Sequence, residues 1–225
     1  MDNWRTECRD LRAIFNETEL FEAARRMAMS LGFEAFVFAL VIPAASLHRP
    51  LFRLYGLPPL KNTAGVYDAL RRATRGSLNG MSWEVDGARE ACVWLDKLPP
   101  TLTHGWSQPT RSLGTEIGMA SFARSYKLEQ DEADALGLKM IALAQTTHAQ
   151  LMNIIIGRGD LFDPLSGEEL TVLRWAAQGK TAKEIAQLMA LEDRRVIYLT
   201  QLARTKMRAS TTIQAAVRAQ GYGLL

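Results

Sequence analysis

Apolar positions recur along the chain with two different periods, and the switch between them marks out its elements. Leu20, Phe21, Ala24, Met27, Ala28 and Leu31 keep the three-to-four spacing of one helical face, and Gly32 closes the run. That spacing predicts helices over 3–15 and 17–31. Residues 33–42 are β-branched and aromatic and apolar at both parities, the pattern of a strand covered on both faces. Pro43 ends it. Residues 50–55 read as a second strand and 64–75 as a helix. Residues 106–112 and 116–124 read as two strands of a hairpin that turns through Leu113-Gly114-Thr115. A helix over 129–156 follows, with Glu129, Asp131, Glu132 and Asp134 at its start and an apolar stripe of Leu136, Met140, Leu143, Ala144, Leu151 and Ile155. It spans about 42 Å at roughly 1.5 Å per residue, more than a small domain needs for its own core. An apolar edge that includes Leu151 is therefore expected in a dimer contact, with His148 on the helix surface or the dimer face.

Gly157-Arg158-Gly159-Asp160-Leu161-Phe162-Asp163-Pro164 breaks both periods. The layout is an N-terminal α+β domain (1–157), a mixed sheet with an amphipathic helix cover, then a linker (158–164) and an all-α C-terminal domain of four helices (165–225). Ser166–Glu169 and Thr181–Glu184 each have the capping-box spacing at the head of an apolar-periodic run. A third helix over 193–208 places Val196, Leu199, Ala203 and Met207 on one face, with Arg194, Ile197, Tyr198, Gln201, Arg204 and Arg208 opposite. A fourth covers 211–220. The second and third helices are separated by about three residues, the spacing of a helix-turn-helix whose outer face enters the major groove. An ordinary helical bundle with a basic solvent face is the other reading of this pattern.

Composition narrows the classes. Of 225 residues, 48% are apolar and 23% charged, which excludes a disordered chain or a disulfide scaffold. No apolar run approaches the roughly 18 residues of a membrane span, and Met1-Asp2-Asn3-Trp4-Arg5 lacks the layout of a signal peptide. Cys8 and Cys92 read as reduced thiols. A cytoplasmic protein without membrane contact is expected. The net charge of +3 lies wholly in the last quarter: residues 1–162 carry 18 basic and 18 acidic groups, and residues 163–225 carry nine and six. After Asp193 come Arg194, Arg195, Arg204, Lys206, Arg208 and Arg218 with no acid, a footprint suited to phosphates or to a solvated helix face. His48, His104 and His148 have no metal-ligand spacing, and there is no phosphate-cradling glycine loop or G-x-S-x-G, so neither an enzyme nor a bound metal is expected.

The run from Leu165 to Ala186 strongly resembles the LuxR-type helix-turn-helix, with Glu169, Leu173 and Gly179 at its three signature positions. The third helix departs from the family: Arg195 and Leu199 stand where a Thr and a His are usual, and Ile197 where a polar residue is common. The resemblance implies double-stranded DNA as partner, with Lys180, Thr181, Arg194, Arg195 and Arg204 on the backbone and Ile197, Tyr198 and Gln201 toward bases.

Residues 1–157 resemble the acyl-homoserine-lactone-binding domain of the quorum-sensing LuxR subfamily. The resemblance rests on Leu31-Gly32-Phe33-Glu34, on Asp68 fifteen residues before Trp83, on Trp94 eleven before Gly105, and on Gly105 to Pro109. It implies an α/β/α sandwich with an antiparallel sheet, in which Tyr55, Asp68, Trp83, Ser107 and Ser121 bind an N-acyl homoserine lactone or another small molecule, with Gly118 also on the pocket lining and Lys97 and Thr101 near it. The Trp and second Tyr usual before the Asp have no counterpart, so the pocket is expected to be degenerate. A homodimeric transcriptional regulator follows. The alternative is an antagonist that forms heterodimers with a relative and keeps it off DNA.

Overall fold

The computed structural model describes residues 2–42, 51–57, 66–74, 79–85, 94, 97–111 and 116–225. Their described parts form two units, one reaching Ile154 and one from Ile155 to Leu225.

In the first unit, α1 (Asp2–Leu11) and α2 (Glu17–Ser30) precede β1 (Ala35–Ile42) and β2 (Leu51–Tyr55). α3 (Val66–Ala73), β3 (Met81–Glu84), β4 (His104–Thr110), β5 (Ile117–Arg124) and the long α4 (Gln130–Gly157) follow. The strands make one antiparallel sheet in the order β2-β1-β5-β4-β3. β1 and β5 lie inside it and are buried on both faces, as the unbroken apolar run of β1 requires. β3 is the strand that periodicity misses. It is a four-residue edge strand with only Trp83 buried, so it shows no apolar pattern.

Side-chain parity sorts the sheet into two faces. Val37, Ala39, Val41, Ile117, Met119 and Ala123 pack with Leu70 of α3 and with Trp83, Trp94, Leu98 and Leu102. The opposite face carries Phe38, which meets Phe21 of α2 and the edge of the His148 ring of α4. The result is the α/β/α sandwich expected from the sequence.

Two expectations for α4 are overturned. Leu151 and His148 are both fully buried. Leu151 belongs to the inward stripe of the helix together with Met140, Leu143, Ala144 and Ile155. His148 lies beneath the sheet, its Nδ1 2.7 Å from Thr110 Oγ1 and its Nε2 3.7 Å from the buried Glu116 carboxylate. The large apolar side chains that α4 does expose are Leu138, at 81%, and Ile141, at 37%.

The second unit contains α5 (Gly167–Ala177), α6 (Ala182–Met189), α7 (Asp193–Lys206) and α8 (Thr212–Gly221). Both capping boxes form: Ser166 and Thr181 accept from the amides of Glu169 and Glu184, whose carboxylates return to the cap amides. Val172, Ile185, Ala186, Val196 and Leu199 make the core. The segment read as a linker takes part in this unit. Leu161 and Phe162 are buried, Phe162 stacks on Tyr222, and the Asp163 amide donates to the Lys206 carbonyl.

Candidate functional site

In the C-terminal unit, α6 ends at Ala190, which takes the left-handed conformation (φ 52°) and turns the chain into α7 within a few residues. The α6 and α7 helices pack on each other and on α5 around the shared core. Val196, Leu199 and Ala203 face that core, so Arg194, Ile197, Tyr198 and Gln201 stand outward, all exposed. Ile197 and Tyr198 are 56% and 51% accessible, unusual for large apolar side chains with a complete core beneath them.

Most of the basic block is engaged within the protein. Arg195 donates to Glu168 of α5 at 2.6 Å, and its guanidinium lies 5.7 Å from the centre of the Tyr198 ring. Arg204 bends back to the Ser210 carbonyl. Lys206 pairs with Glu169. Arg208 reaches the Gly159 carbonyl at 3.5 Å, and buried Arg218 donates to the carbonyls of Met207 and Arg208 at the end of α7. Among the six, Arg194 alone makes no hydrogen bond or ion pair with the described residues. Thr181 serves as N-cap of α6, and Lys180 beside it is exposed, 3.9 Å from Glu184. Arg194 and Lys183 thus stand exposed near the starts of α7 and α6, beside Lys180, where helix N-termini also favour anions.

In the N-terminal unit, the sheet face under α3 carries a buried polar chain. Trp83 Nε1 donates to Ser107 Oγ at 3.0 Å, Ser107 and Ser121 hydroxyls meet at 2.9 Å, and Trp94 Nε1 donates to Ser121 Oγ at 3.2 Å. Ser107 and Ser121 are cross-strand partners in β4 and β5, so their side chains share a face. Gly105 pairs with Trp83 across β3 and β4, and a Cβ there would run into the Trp83 ring. The glycine therefore lets the indole lie across β4 toward Ser107.

Trp83, Ser107 and Ser121 come together on this face, and Trp94 joins them. The Trp94 spacing is visible in the sequence, but nothing there shows that its N–H would complete the chain. Tyr55 does not join. Strand parity pairs it with Phe38 on the other face, where its ring stacks on Phe21 at 3.7 Å and its hydroxyl donates to Glu17 at 2.6 Å. Asp68 is exposed in the first turn of α3, because two helical positions place it away from buried Leu70. Gly118 faces Thr110 and His148, opposite Ser121, and Lys97 and Thr101 are exposed. Among the described residues no cluster of His, Cys, Asp or Glu could hold a metal ion, and no helix is long and apolar enough to cross a membrane.

Residues 163–219 match the family described as bacterial regulatory proteins, luxR family. Over its whole length the chain is 28% identical to the transcriptional activator protein AnoR of Acinetobacter nosocomialis, covering all of both sequences. It is 24% identical to the transcriptional repressor ThaA of Burkholderia thailandensis, over 96% of this chain and 95% of that one. The chain is a transcriptional regulator with a luxR-family domain. Its fold is that of SdiA from Escherichia coli: a crystal structure of SdiA aligns with a TM-score of 0.71 at 22% identity, over 99% of this chain and 98% of that one. SdiA in complex with octanoyl-rac-glycerol aligns at 0.68 and 21%, over 99% and 95%. The helix-turn-helix of this DNA-binding regulator, formed by α6, Ala190 and α7, lies within the matched residues.

Proposed function

We propose that this regulator is a cytoplasmic, quorum-sensing homodimer in which residues 1–157 sense a neutral acyl amphiphile and residues 165–225 bind an inverted-repeat operator. The observation that carries the sensing role is the buried Trp83–Ser107–Ser121–Trp94 chain, set in the otherwise apolar face of Val37, Ala39, Val41, Leu70, Ile117 and Met119. An acyl ligand needs this composition: an apolar wall for the chain and a few fixed polar groups for its head. The octanoyl compound bound by SdiA, which shares the fold, is of that class. N-acyl homoserine lactones fit the same description. With Tyr55 turned to Glu17 and Asp68 exposed, Ser107, Ser121 and Trp83 carry the polar recognition, and binding is weaker than in a pocket with a full set of donors. Dimer contact falls to the exposed Leu138 and Ile141 of α4, and a homodimer offers two α7 helices for the two half-sites of an inverted repeat.

The test is thermal unfolding of the whole chain with N-acyl homoserine lactones of several chain lengths and with 1-octanoylglycerol. Ligand at a hundred times its Kd stabilises a fold by about 2.7 kcal/mol, several degrees for a protein of this size. A rise in Tm that Ser121→Ala diminishes supports the sensing role. No shift with any acyl compound overturns it. Sedimentation of wild type and Leu138→Arg at tens of micromolar tests the dimer, and a wild type that is already monomeric overturns that part.

A further inference from the structure

The outward stripe of α7 has an unusual chemistry for a helix that binds a polyanion. At 100° per residue, Arg194, Gln201, Thr205 and Tyr198 fall within one narrow sector with Ile197 at its margin, opposite Val196, Leu199 and Ala203. Two of these five outward side chains are large, apolar and more than half exposed. The arginines that could read guanine are largely committed elsewhere. Arg195 is held by Glu168 against Tyr198, and Arg204 is hydrogen-bonded to Ser210. Only Arg194, in the first turn, is open.

The major groove offers few apolar features, and the principal one is the thymine C5-methyl group. Gln201 stands one turn beyond Ile197, about 6 Å along the axis, or roughly two base-pair steps at about 3.4 Å. A glutamine carboxamide matches adenine N6 and N7 with two hydrogen bonds. We infer that Ile197 and Tyr198 are specificity-determining residues that read thymine methyl groups in the half-site, while Gln201 reads a neighbouring adenine. This rests on α7 being the major-groove helix and goes further by naming the bases: the centre of each half-site is A·T, recognised by methyl contact more than by guanine-directed arginine. Arg195, pinned across the Tyr198 ring, keeps that ring from folding back along the helix.

Replacing thymine by deoxyuridine removes the methyl and leaves every base-pair hydrogen bond in place. Duplexes are first selected from a random pool with the full chain. Each thymine of the selected half-site is then replaced singly by deoxyuridine, and Kd is read by fluorescence anisotropy at one fixed salt concentration. Wild type should lose about three- to fivefold at one or two positions, the worth of one buried methyl group. Ile197→Ala or Tyr198→Ala, both surface changes that leave the core intact, should bind the thymine and deoxyuridine duplexes equally at the matching position. Gln201→Ala should relax preference at a separate A·T pair while keeping the methyl effect. Selection of a specific site at which deoxyuridine is silent throughout overturns the methyl reading and leaves the groove assignment standing. Failure of the chain to select any sequence overturns both.

Discussion

Lys206 Nζ lies 2.9 and 2.8 Å from the two carboxylate oxygens of Glu169, tying the end of α7 to the first turn of α5. Glu169 is only 2% exposed and also accepts from the Ser166 amide at 2.7 Å. Burial pushes its carboxyl up, but Lys206 and the Ser166 amide outweigh that and hold it below its ordinary value. The pair thus joins three elements around one buried charge: the capping box of α5, the core it covers and the C-terminus of α7.

Glu169→Gln keeps the shape and removes the charge. It should destabilise the C-terminal unit by about 1–3 kcal/mol, the range for a charged hydrogen bond lost from a buried site. Because the folded-state pKa is depressed, the stabilisation is complete above the ordinary carboxylate range and is lost as pH falls through the folded value. Urea unfolding across acidic pH should therefore show wild type converging on Glu169→Gln, with little change in the gap above neutrality.

Ala190 holds a positive φ at the turn between α6 and α7, where an L side chain is strained. Ala190→Gly should stabilise the helix-turn-helix by roughly 0.5–1 kcal/mol. Calorimetry should show a raised Tm with DNA affinity unchanged. A lowered Tm would mean that the turn is not strained.

In the sensor unit, Ser107→Ala removes the acceptor of the Trp83 N–H and the partner of Ser121. An indole N–H left unpaired in a buried site costs about 1–3 kcal/mol. Trp83→Phe in the Ser107→Ala background should recover part of that loss, because the orphaned donor is gone. Chemical denaturation of the four proteins gives the coupling directly. Independent, additive losses would show that the hydrogen bond contributes nothing.

For DNA binding, Arg194→Ala should weaken affinity for all sequences and lower the salt slope by about one phosphate contact. Arg195→Ala should have a smaller effect, since Glu168 already neutralises that guanidinium at 2.6 Å. Glu168→Gln frees Arg195 and should strengthen non-specific binding. Equal losses for the two arginine variants would contradict the division seen in the structure.

The sequence was most legible where local chemistry decides the outcome. The two capping boxes, the break after α4 and the inward stripe of α7 all form at the residues that signal them. Long-range partnerships were hidden. Six basic residues without an acid after Asp193 look like an open positive face, yet Glu168 and Glu169, some 27 and 37 positions earlier, take up Arg195 and Lys206. His148 and Leu151 lie on a helix with many apolar positions around its circumference, so periodicity alone cannot tell its core side from its outer edge. At Tyr55 and Gly118 the order of residues along the chain was informative, but strand parity set the face, and parity depends on register with a neighbouring strand. Edge strand β3 carries too few buried positions to announce itself.

The most direct measurement is an anisotropy titration of the full chain on a duplex selected from a random pool and on a scrambled duplex of the same length, at near-physiological salt. A helix-turn-helix that places α7 in the major groove should bind the selected duplex about 10³-fold or more tightly than the scrambled one, and Arg194→Ala should weaken both. Equal affinity for the two duplexes would contradict the assignment of α7 as a base-reading helix.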